Sequence, residues 1–405
     1  KREIRGAREE AMTIQQNTDR IQTTHIGSLP RPHRLLDAMK AKYSGKPYDQ
    51  TAFQQALRGA VADVVRKQVD CGIDIVTDGE FSKPGFFTYI RERLEGFESR
   101  PNAKIKLFEQ EVAAFPEYYE QYFKQAMMGG AIVSLAPVVC VGPVKYRGQK
   151  LAQIDIDNVK AAATAAGVAN EHVFLPATAP SGVGINEYYK SDEEYFNALA
   201  AEMGKEYRTI VDAGILVQID DPFLPDIFFE LGRDDADKQR RAEMYVEAIN
   251  TGLKGIPPER VRFHTCYGIN EGPRIYEAAL ADIIAYVLKV NAGSYSFEAA
   301  NPRHEHEYHL FERIKVPEGK VLVPGVVTHA SNIVEHPELI AERIIRFARL
   351  VGRDNVIAGA DCGFSSQAMY STEVHPTVIW EKFKAMRQGA DIASRQLWPE
   401  RGLSG

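Results

Sequence analysis

The sequence predicts an α/β fold, a single closed (β/α)8 TIM barrel, in which eight parallel strands alternate with helices. Eight short β-branched apolar runs recur along the chain, and each is followed by a polar or Gly/Pro turn and then by a helical pattern. An open dinucleotide-binding sheet would need a Gly-rich fingerprint after its first strand, and the sequence has none there. Because no low-complexity linker divides the chain, we predict one closed barrel.

The eight apolar runs mark the predicted strands. Each run is short and bounded by turn residues, as expected for strands that are covered on both faces of a parallel sheet. In chain order they are 23–28 (TTHIGS), 73–80 (IDIVTDGE), 172–181 (HVFLPATAPS), 216–222 (LVQIDDP), 261–266 (VRFHTC), 294–298 (SYSFE), 320–327 (KVLVPGVV) and 355–362 (NVIAGADC).

Helices are predicted between these strands, most clearly at 52–72, 193–214 and 336–352. In the last of them the apolar residues recur at helical spacing, namely Leu339, Ile340, Ile344, Phe347 and Leu350. A glycine directly after the final turn supplies the left-handed C-cap that commonly ends a helix.

The segment between the second and third strands is too long for a plain crossover. Residues 83–168 contain many aromatic side chains and then the apolar stretch IVSLAPVVCVGPV. We interpret this segment as an insertion of helices and a hairpin laid over one barrel end. It is either a lid or subunit interface that shields a site, or ordinary packing of an insertion.

We predict one barrel domain over residues 21–405. Residues 1–20 begin with the charged segment KREIRGAREEAM, which lacks an initiator Met. They are expected to be a disordered arm or an expression remnant outside the fold.

The overall composition favours a globular enzyme with a small organic substrate. The chain is 44% hydrophobic and 26% charged, which is ordinary for a soluble protein. A net charge of −6 without any run of Lys or Arg gives no support for nucleic-acid binding. Neither a membrane-length apolar stretch nor a signal peptide is evident, so we expect a cytoplasmic protein without a membrane partner. The sequence leaves open whether the chain forms a homo-oligomer.

The predicted strands end in polar residues, at the barrel face where catalytic groups lie in this fold. His264 and Cys266 are two residues apart on one strand, so both side chains point the same way, into the barrel mouth. Glu298 and Cys362 end later strands of the same half of the ring. One imidazole, two thiolates and one carboxylate form a tetrahedral set suited to Zn²⁺, whereas magnesium and calcium prefer oxygen ligands.

Other interpretations of these residues remain open. The two cysteines could be plain buried thiols, and His264 could be a core histidine. Glu298 could contact the substrate or support the ligands without binding metal. The other two of the four cysteines, Cys71 and Cys140, are expected to pack in the core.

A zinc ion with two thiolate ligands is electron-rich and is a poor Lewis acid toward carbonyls. It can still bind an incoming thiol, lower its pKa and hold it as a thiolate at neutral pH. The site therefore favours alkylation of a thiol over hydrolysis. Glu298 is the ligand most readily released when the substrate sulfur binds.

These strand ends resemble the catalytic barrel of the cobalamin-independent methionine synthase family. The metal segments are FHTCYG, SFEAAN and GADCGF, and TTHIGSLPRP, TDGEF and QIDDP occur in the family's order. The resemblance extends from about residue 23 to the C-terminal helix. It implies that backbone groups of Ile26 and Ser28 hold an amino-acid carboxylate and that Glu80 and Asp220 hold its ammonium group, which suits homocysteine. The alternatives are a solvated loop for Ser28 and a structural ion pair for Glu80.

The sequence also departs from the family pattern. Full-length members carry a second barrel that assists folate binding, whereas one barrel is predicted here, which leaves the folate donor open. The family's proton-relay histidine corresponds to His329 after a shift of one residue; the alternative is a surface turn histidine. His304, His306 and His309 are expected to lie in a solvated loop; the alternative is an extra metal cluster.

The resemblance implies a zinc-dependent S-methyltransferase that moves a methyl group to homocysteine from methyl-folate or a methyl-corrinoid protein. The alternative is an epoxyalkane:coenzyme M transferase, which opens an epoxide with a zinc-bound thiolate. Coenzyme M carries a sulfonate and no ammonium group, so Glu80 and Asp220 favour an amino-acid thiol. A third possibility, from another class, is a non-catalytic zinc-binding or thiol-binding protein.

Overall fold

The computed structural model describes residues 16–100, 108–125, 130–133, 135–268 and 271–399. The strands are β1 Leu94–Ser99, β2 Val138–Tyr146, β3 Phe174–Thr178, β4 Ile185–Asn186, β5 Leu216–Asp220, β6 Val261–His264, β7 Ser294–Phe297, β8 Val321–Val327 and β9 Gly359–Ala360. The helices are α1 His33–Tyr43, α2 Gln50–Asp70, α3 Glu109–Ala114, α4 Pro116–Gln125, α5 Gln149–Ala165, α6 Asp192–Asp212, α7 Phe223–Phe229, α8 Asp235–Gly252, α9 Leu280–Val287, α10 Pro337–Val351 and α11 Pro376–Leu397. The described residues also form six 3-10 helices: Thr88–Glu92, Asn170–His172, Pro180–Gly182, Pro258–Arg260, Glu305–Glu312 and Arg353–Asn355.

Six of these strands form a curved parallel sheet in the order β3-β5-β6-β7-β8-β9. The ring continues through two segments that make single parallel bridges. These bridges join Thr23 to Ala358, Thr24 to Ile75, and Val76 to Val173. The predicted (β/α)8 barrel is thereby confirmed.

The first two predicted strands are shorter than expected. Each contributes only isolated bridges, because the chain leaves the extended conformation early. Gly27 has φ 140° and Gly79 has φ 70°, both in the region that favours glycine. The last predicted strand is likewise reduced to β9, with further bridges at Val356 and Ala358. Apolar patterning located these segments, while their lengths depend on the turns that follow.

The barrel interior is layered along the strands. One end is filled by an apolar cluster of Ile75, Phe174, Leu216, Val321, Val323 and Ile357. Side chains at alternate positions point to the same face of a strand, so Leu216 is followed inside the barrel by Gln218 and then Asp220. By the same alternation, Arg262 and His264 of β6 both point into the barrel. Polar groups therefore collect at the C-terminal ends of the strands.

The insertion contains the predicted helices and hairpin. β1 and β2 pair antiparallel, and α3 and α4 lie between them along the chain. Tyr118, Tyr119, Tyr122 and Phe123 form their own aromatic cluster. Helix α5, which falls within the predicted range 83–168, packs against α2 and α6.

Part of the predicted N-terminal arm is in contact with the barrel. Residues 1–15 of the predicted arm lie outside the described part of the chain. Asn17 is buried and its side chain donates to the carbonyls of Arg353 and Val356. Arg20 forms an ion pair with Asp74 at 2.7 Å. Residues 16–20 are thus packed against the barrel. Separately, none of the described helices is long and apolar enough to cross a membrane.

Candidate metal centre and substrate cavity

Three predicted ligands meet at the C-terminal end of the barrel. The donor atoms of His264, Cys266 and Cys362 lie within 4.8 Å of one another, and all three residues are buried. The two Sγ atoms are 3.0 Å apart, which is too long for a disulfide of about 2.05 Å. His264 ends β6, Cys266 follows two residues later, and Cys362 follows β9. Strand-end geometry therefore converges these side chains as the sequence predicted.

His264 is oriented as a neutral ligand. Its Nδ1 lies 3.3 Å from the Ser296 hydroxyl, while its buried Nε2 has no hydrogen-bond partner among the described residues. Burial lowers the pKa of His264 to about 3, with further lowering from His329 and Arg262. A neutral imidazole with one nitrogen oriented and the other free is the usual form of a metal-ligating histidine.

The thiol pair has the electrostatics of a cation site. The hydrogen bond with Cys266, followed by burial and the charge of Glu298, raises the pKa of Cys362. The Cys362 thiol therefore resists ionisation by itself, and a divalent cation would offset that resistance. The sulfur and nitrogen donors fit zinc and fit poorly to magnesium or calcium.

Glu298 lies next to this trio but has other partners. Its Oε2 accepts hydrogen bonds from Arg274 Nη2 at 2.6 Å and Asn301 Nδ2 at 2.8 Å. Its Oε1 accepts from the Tyr267 amide at 3.2 Å. The structure thus brings three of the four predicted ligands together, His264, Cys266 and Cys362. Both carboxylate oxygens of the fourth, Glu298, accept hydrogen bonds from protein groups.

A second buried group contains Glu298, His329 and Asp361, whose donor atoms also lie within 4.8 Å of one another. His329 is 2% exposed, which excludes the surface-turn alternative. Asp361 Oδ1 accepts from the amides of Ala299 and Ala300, each at 2.8 Å. The sequence analysis assigned Asp361 no role, although it directly precedes Cys362.

A charged network extends outward from Glu298. Arg274 also binds Glu277 at 2.6 Å, and His304 lies between Glu277 and Glu307 at 3.0 and 2.7 Å. The His304 ring stacks on Tyr267 at a centroid distance of 4.2 Å. His304 is buried, so the prediction of a solvated loop was wrong for this residue, whereas His309 is exposed. Sequence reasoning missed the network because its members are scattered along the chain.

A cavity of about 340 Å³ is lined by His264, Cys266 and Cys362. Parts of the insertion and of the segment after Cys362 form its walls. Seven of the nine predicted site residues line it, namely Ile26, Ser28, Glu80, Asp220, His264, Cys266 and Cys362.

Glu80 and Asp220 form a buried acidic pair in this cavity. Burial and then the charge of Glu80 raise the pKa of Asp220, whose Oδ1 accepts from Gln218 at 2.8 Å. Glu80 Oε2 has no hydrogen bond, and Lys83 Nζ stands 3.8 Å away while donating to the Pro176 carbonyl. The long distance between Lys83 and Glu80 argues against a purely structural ion pair. The carboxylates of Glu80 and Asp220 can therefore accept a further cationic group.

Ile26 and Ser28 lie beside this pair. The Ile26 carbonyl accepts from Gln218 Nε2 at 2.5 Å. A Cβ at Gly363 would come 2.1 Å from Ser28 Oγ, so the D-C-G segment needs glycine where the two loops meet. Asp221, by contrast, accepts from Ser181 Oγ at 2.7 Å and from the amide of Phe223 at 3.1 Å, which makes it a structural residue at the start of α7.

The comparisons agree with this geometry. A family model described as "Cobalamin-independent synthase, Catalytic domain" matches residues 21–148 and 153–381. A methionine synthase of Thermococcus kodakarensis is 26% identical over 383 residues, covering 93% of this chain and 94% of that protein. One of Sulfolobus acidocaldarius is 28% identical over 252 residues, which span 61% of this chain and 62% of that protein. A B12-independent methionine synthase from Shewanella sp. W3-18-1, solved with selenomethionine, has the same fold, with a TM-score of 0.69, 19% identity and coverage of 94% of this chain and 99% of that one.

Proposed function

Since this chain belongs to the cobalamin-independent methionine synthase family, we propose that it is a zinc-dependent S-methyltransferase that converts homocysteine to methionine. The observation that carries the proposal is the convergence of His264, Cys266 and Cys362 on one buried point of the cavity. The free Nε2 of His264 and the paired thiols fit zinc. Bound zinc would lower the pKa of the substrate thiol and keep it as a thiolate at neutral pH.

We further propose Glu298 as a fourth ligand that exchanges with the substrate sulfur. After release from the metal, its carboxylate would be stabilised by hydrogen bonds from Arg274 and Asn301. An ion pair and an amide hydrogen bond would stabilise the released carboxylate inside the protein, where an unpaired charge costs several kcal/mol.

The amino-acid end of homocysteine is proposed to bind in the cavity beside the metal ligands. Glu80 and Asp220 would hold the ammonium group, since both are buried carboxylates and the Lys83 ammonium stands no closer than 3.8 Å to Glu80 Oε2. Backbone groups of Ile26 and Ser28 would hold the carboxylate. His329, which is buried beside Asp361 and Glu298, is proposed to move the thiol proton away from the site.

Opening of an epoxide by coenzyme M thiolate is the less favoured alternative. The sulfonate of coenzyme M would stand close to Glu80 and Asp220, and like charges in a buried site repel strongly. An amino-acid thiol places opposite charge against the same carboxylates.

The test adds homocysteine or coenzyme M to zinc-loaded protein and records zinc-edge X-ray absorption together with proton release. We expect homocysteine, but not coenzyme M, to add a third sulfur to zinc and release one proton. The Asp220→Asn variant should weaken homocysteine binding about tenfold or more while zinc content stays unchanged. A third sulfur with coenzyme M alone would replace the proposal by the alternative, and none with either thiol would remove thiol activation altogether.

A further inference from the structure

The buried side chain of Arg31 joins three of the loops around the cavity. Arg31 lies in the loop that follows the first barrel segment and is 4% exposed. Its Nη2 donates to the carbonyls of Glu80 and Lys83, at 2.8 and 2.9 Å. Its Nη1 donates to the carbonyl and the hydroxyl of Ser365, at 3.1 and 3.3 Å. One guanidinium therefore connects the loop after the second barrel segment to the loop that follows Cys362.

Arg31 binds backbone oxygens and a hydroxyl instead of a carboxylate. Among the described residues, its hydrogen bonds go to three carbonyls and to the Ser365 hydroxyl. Burial lowers the pKa of Arg31 to about 10, while the charges of Glu80 and Asp78 raise it, so the guanidinium stays charged at neutral pH. A buried charge without an ion pair is costly. Its planar fork reaches oxygens on two sides at once, so what Arg31 contributes is the position of those loops.

The turn that Arg31 holds places Glu80 in a strained backbone conformation. Glu80 has φ 59°, in the left-handed region that residues other than glycine rarely adopt. Its amide donates to Asp78 Oδ1 at 2.9 Å, and its carbonyl accepts from Arg31 and from the Lys83 amide. A strained residue of this kind persists only where surrounding contacts hold it, and such residues are common at functional sites. Here the side chain that results lines the cavity together with Asp220.

The same turn carries a lysine that can compete for the Glu80 carboxylate. Lys83 Nζ lies 3.8 Å from Glu80 Oε2, donates to the Pro176 carbonyl and lies 4.4 Å from the centre of the Tyr89 ring. Because Arg31 holds the carbonyls of both Glu80 and Lys83, it fixes the two ends of the turn relative to each other. If the turn relaxed, the lysine and the carboxylate could close into a direct ion pair, which would compete with the ammonium group of a substrate.

We propose that Arg31 is a positioning residue that makes the site selective for a thiol with an ammonium group. It holds the turn from Glu80 to Lys83 so that the Glu80 carboxylate stays available to the substrate. Its hydrogen bonds to Ser365 keep this turn in register with the segment that follows Cys362. Arg31 does not itself line the cavity, so it acts through Glu80. This inference rests on the proposed function and names a residue that sets the substrate selectivity of the same site.

The test compares two thiols that differ in one group. Homocysteine and γ-mercaptobutyrate have the same carbon chain, thiol and carboxylate, but only homocysteine carries an ammonium group. Calorimetry measures the binding of each thiol to zinc-loaded protein. The wild type should bind homocysteine at least about tenfold more tightly than γ-mercaptobutyrate. Arg31→Met should weaken homocysteine binding about tenfold and γ-mercaptobutyrate binding less than about twofold, because only the ammonium group loses a well-placed partner.

Two further variants complete the test. Arg34→Met is the matched control, because Arg34 is exposed on α1, and it should change neither affinity. Arg31→Lys keeps the charge but lacks the planar fork, so it should lower the preference for homocysteine at least about threefold. This variant carries the test if Arg31→Met does not fold. An equal loss of affinity for both thiols would show that Arg31 only maintains the fold, and it would overturn the inference.

The wild type separates a failure of this inference from a failure of the proposed function. If the wild type binds homocysteine no better than γ-mercaptobutyrate, the ammonium site of the proposed function is wrong and the inference fails with it. If the wild type prefers homocysteine and the folded Arg31 variants keep that preference in full, the inference alone fails and the proposed function stands.

Discussion

At the residue scale, the surroundings of each ligand decide its chemistry. His264 is kept neutral by burial and is turned by Ser296, so its Nε2 is available. The two cysteines are adjacent but are not joined by a disulfide. By themselves, the neutral His264 imidazole and the two unbridged thiols do not stabilise the fold. Both become favourable when a cation binds to them.

Replacing Cys362 with serine should remove zinc and activity together. A hydroxyl is a much weaker zinc ligand than a thiolate, so we expect metal content to fall to about a tenth or less and turnover to fall at least about 100-fold. Metal analysis, activity and circular dichroism check this, with Cys71→Ser as the control because Cys71 lies at the end of α2, outside the site. Full activity in protein stripped of metal would refute the ligand assignment.

Replacing Arg274 with methionine should destabilise the fold. The change leaves Glu298 and Glu277 without their 2.6 Å partner, and breaking a buried ion pair from one side costs about 3–5 kcal/mol. The free energy of unfolding in urea measures the loss. The matched control is Arg66→Met, since Arg66 pairs with Asp63 on the surface and should change stability by less than about 1 kcal/mol. Equal effects of the two changes would contradict the role given to Arg274.

At the element scale, ion pairs between charged side chains join the loops that follow neighbouring strands. The loop after β6 carries Tyr267, Arg274 and Glu277, and the 3-10 helix after β7 carries Glu307. His304 bridges them through its two ring nitrogens. Side-chain contacts therefore hold together the loops around the candidate metal site, where the irregular backbone makes few hydrogen bonds of its own.

The His304 bridge predicts a pH dependence of stability. Burial lowers the pKa of His304, but hydrogen bonds with Glu277 and Glu307 outweigh it and raise the pKa to about 9. Because the folded pKa exceeds the ordinary value near 6.5, this stabilisation is complete below about pH 6.5 and is lost as pH rises through about 9.

The expected change is roughly 3 kcal/mol between pH 6 and pH 9.5, from the size of the shift. Urea unfolding of the wild type and of His304→Gln at both pH values measures it. The variant should lose most of this pH dependence. If wild type and variant lost the same stability on raising the pH, the bridge would not be its source.

At the scale of the whole molecule, side chains complete the ring where backbone pairing is sparse. The first two barrel segments make only single bridges. Gln68 of α2 accepts from the Thr77 amide at 3.0 Å, donates to its carbonyl at 2.7 Å, and lies 2.8 Å from His25 Nε2. One buried amide thus connects the crossover helix to both weakly paired segments.

Gln68→Leu should therefore weaken the closed barrel. The change removes the partner of several buried polar groups, each of which costs about 1–3 kcal/mol when left unsatisfied, so we expect a loss of about 3 kcal/mol or more. Thermal and urea unfolding measure it. Gln55→Leu provides the matched control, because Gln55 is exposed on the same helix and should have little effect. A Gln68→Leu protein as stable as the control would show that backbone bridges alone close the ring.

The barrel, and the meeting of His264, Cys266 and Cys362 at its mouth, could be predicted from the amino-acid sequence. Strand alternation placed His264 and Cys266 on one face, and the βαβ rhythm brought Cys362 to the same end. Both patterns are local in the sequence. Closure of the ring then brings the ends of the strands, and the side chains on them, close together. The partners of Glu298, the burial of His304 and His329, and the meeting of Glu80 with Asp220 in the cavity became evident from the folded structure alone. These depend on contacts between loops far apart in the chain, and no periodicity in the sequence specifies which irregular segments will meet.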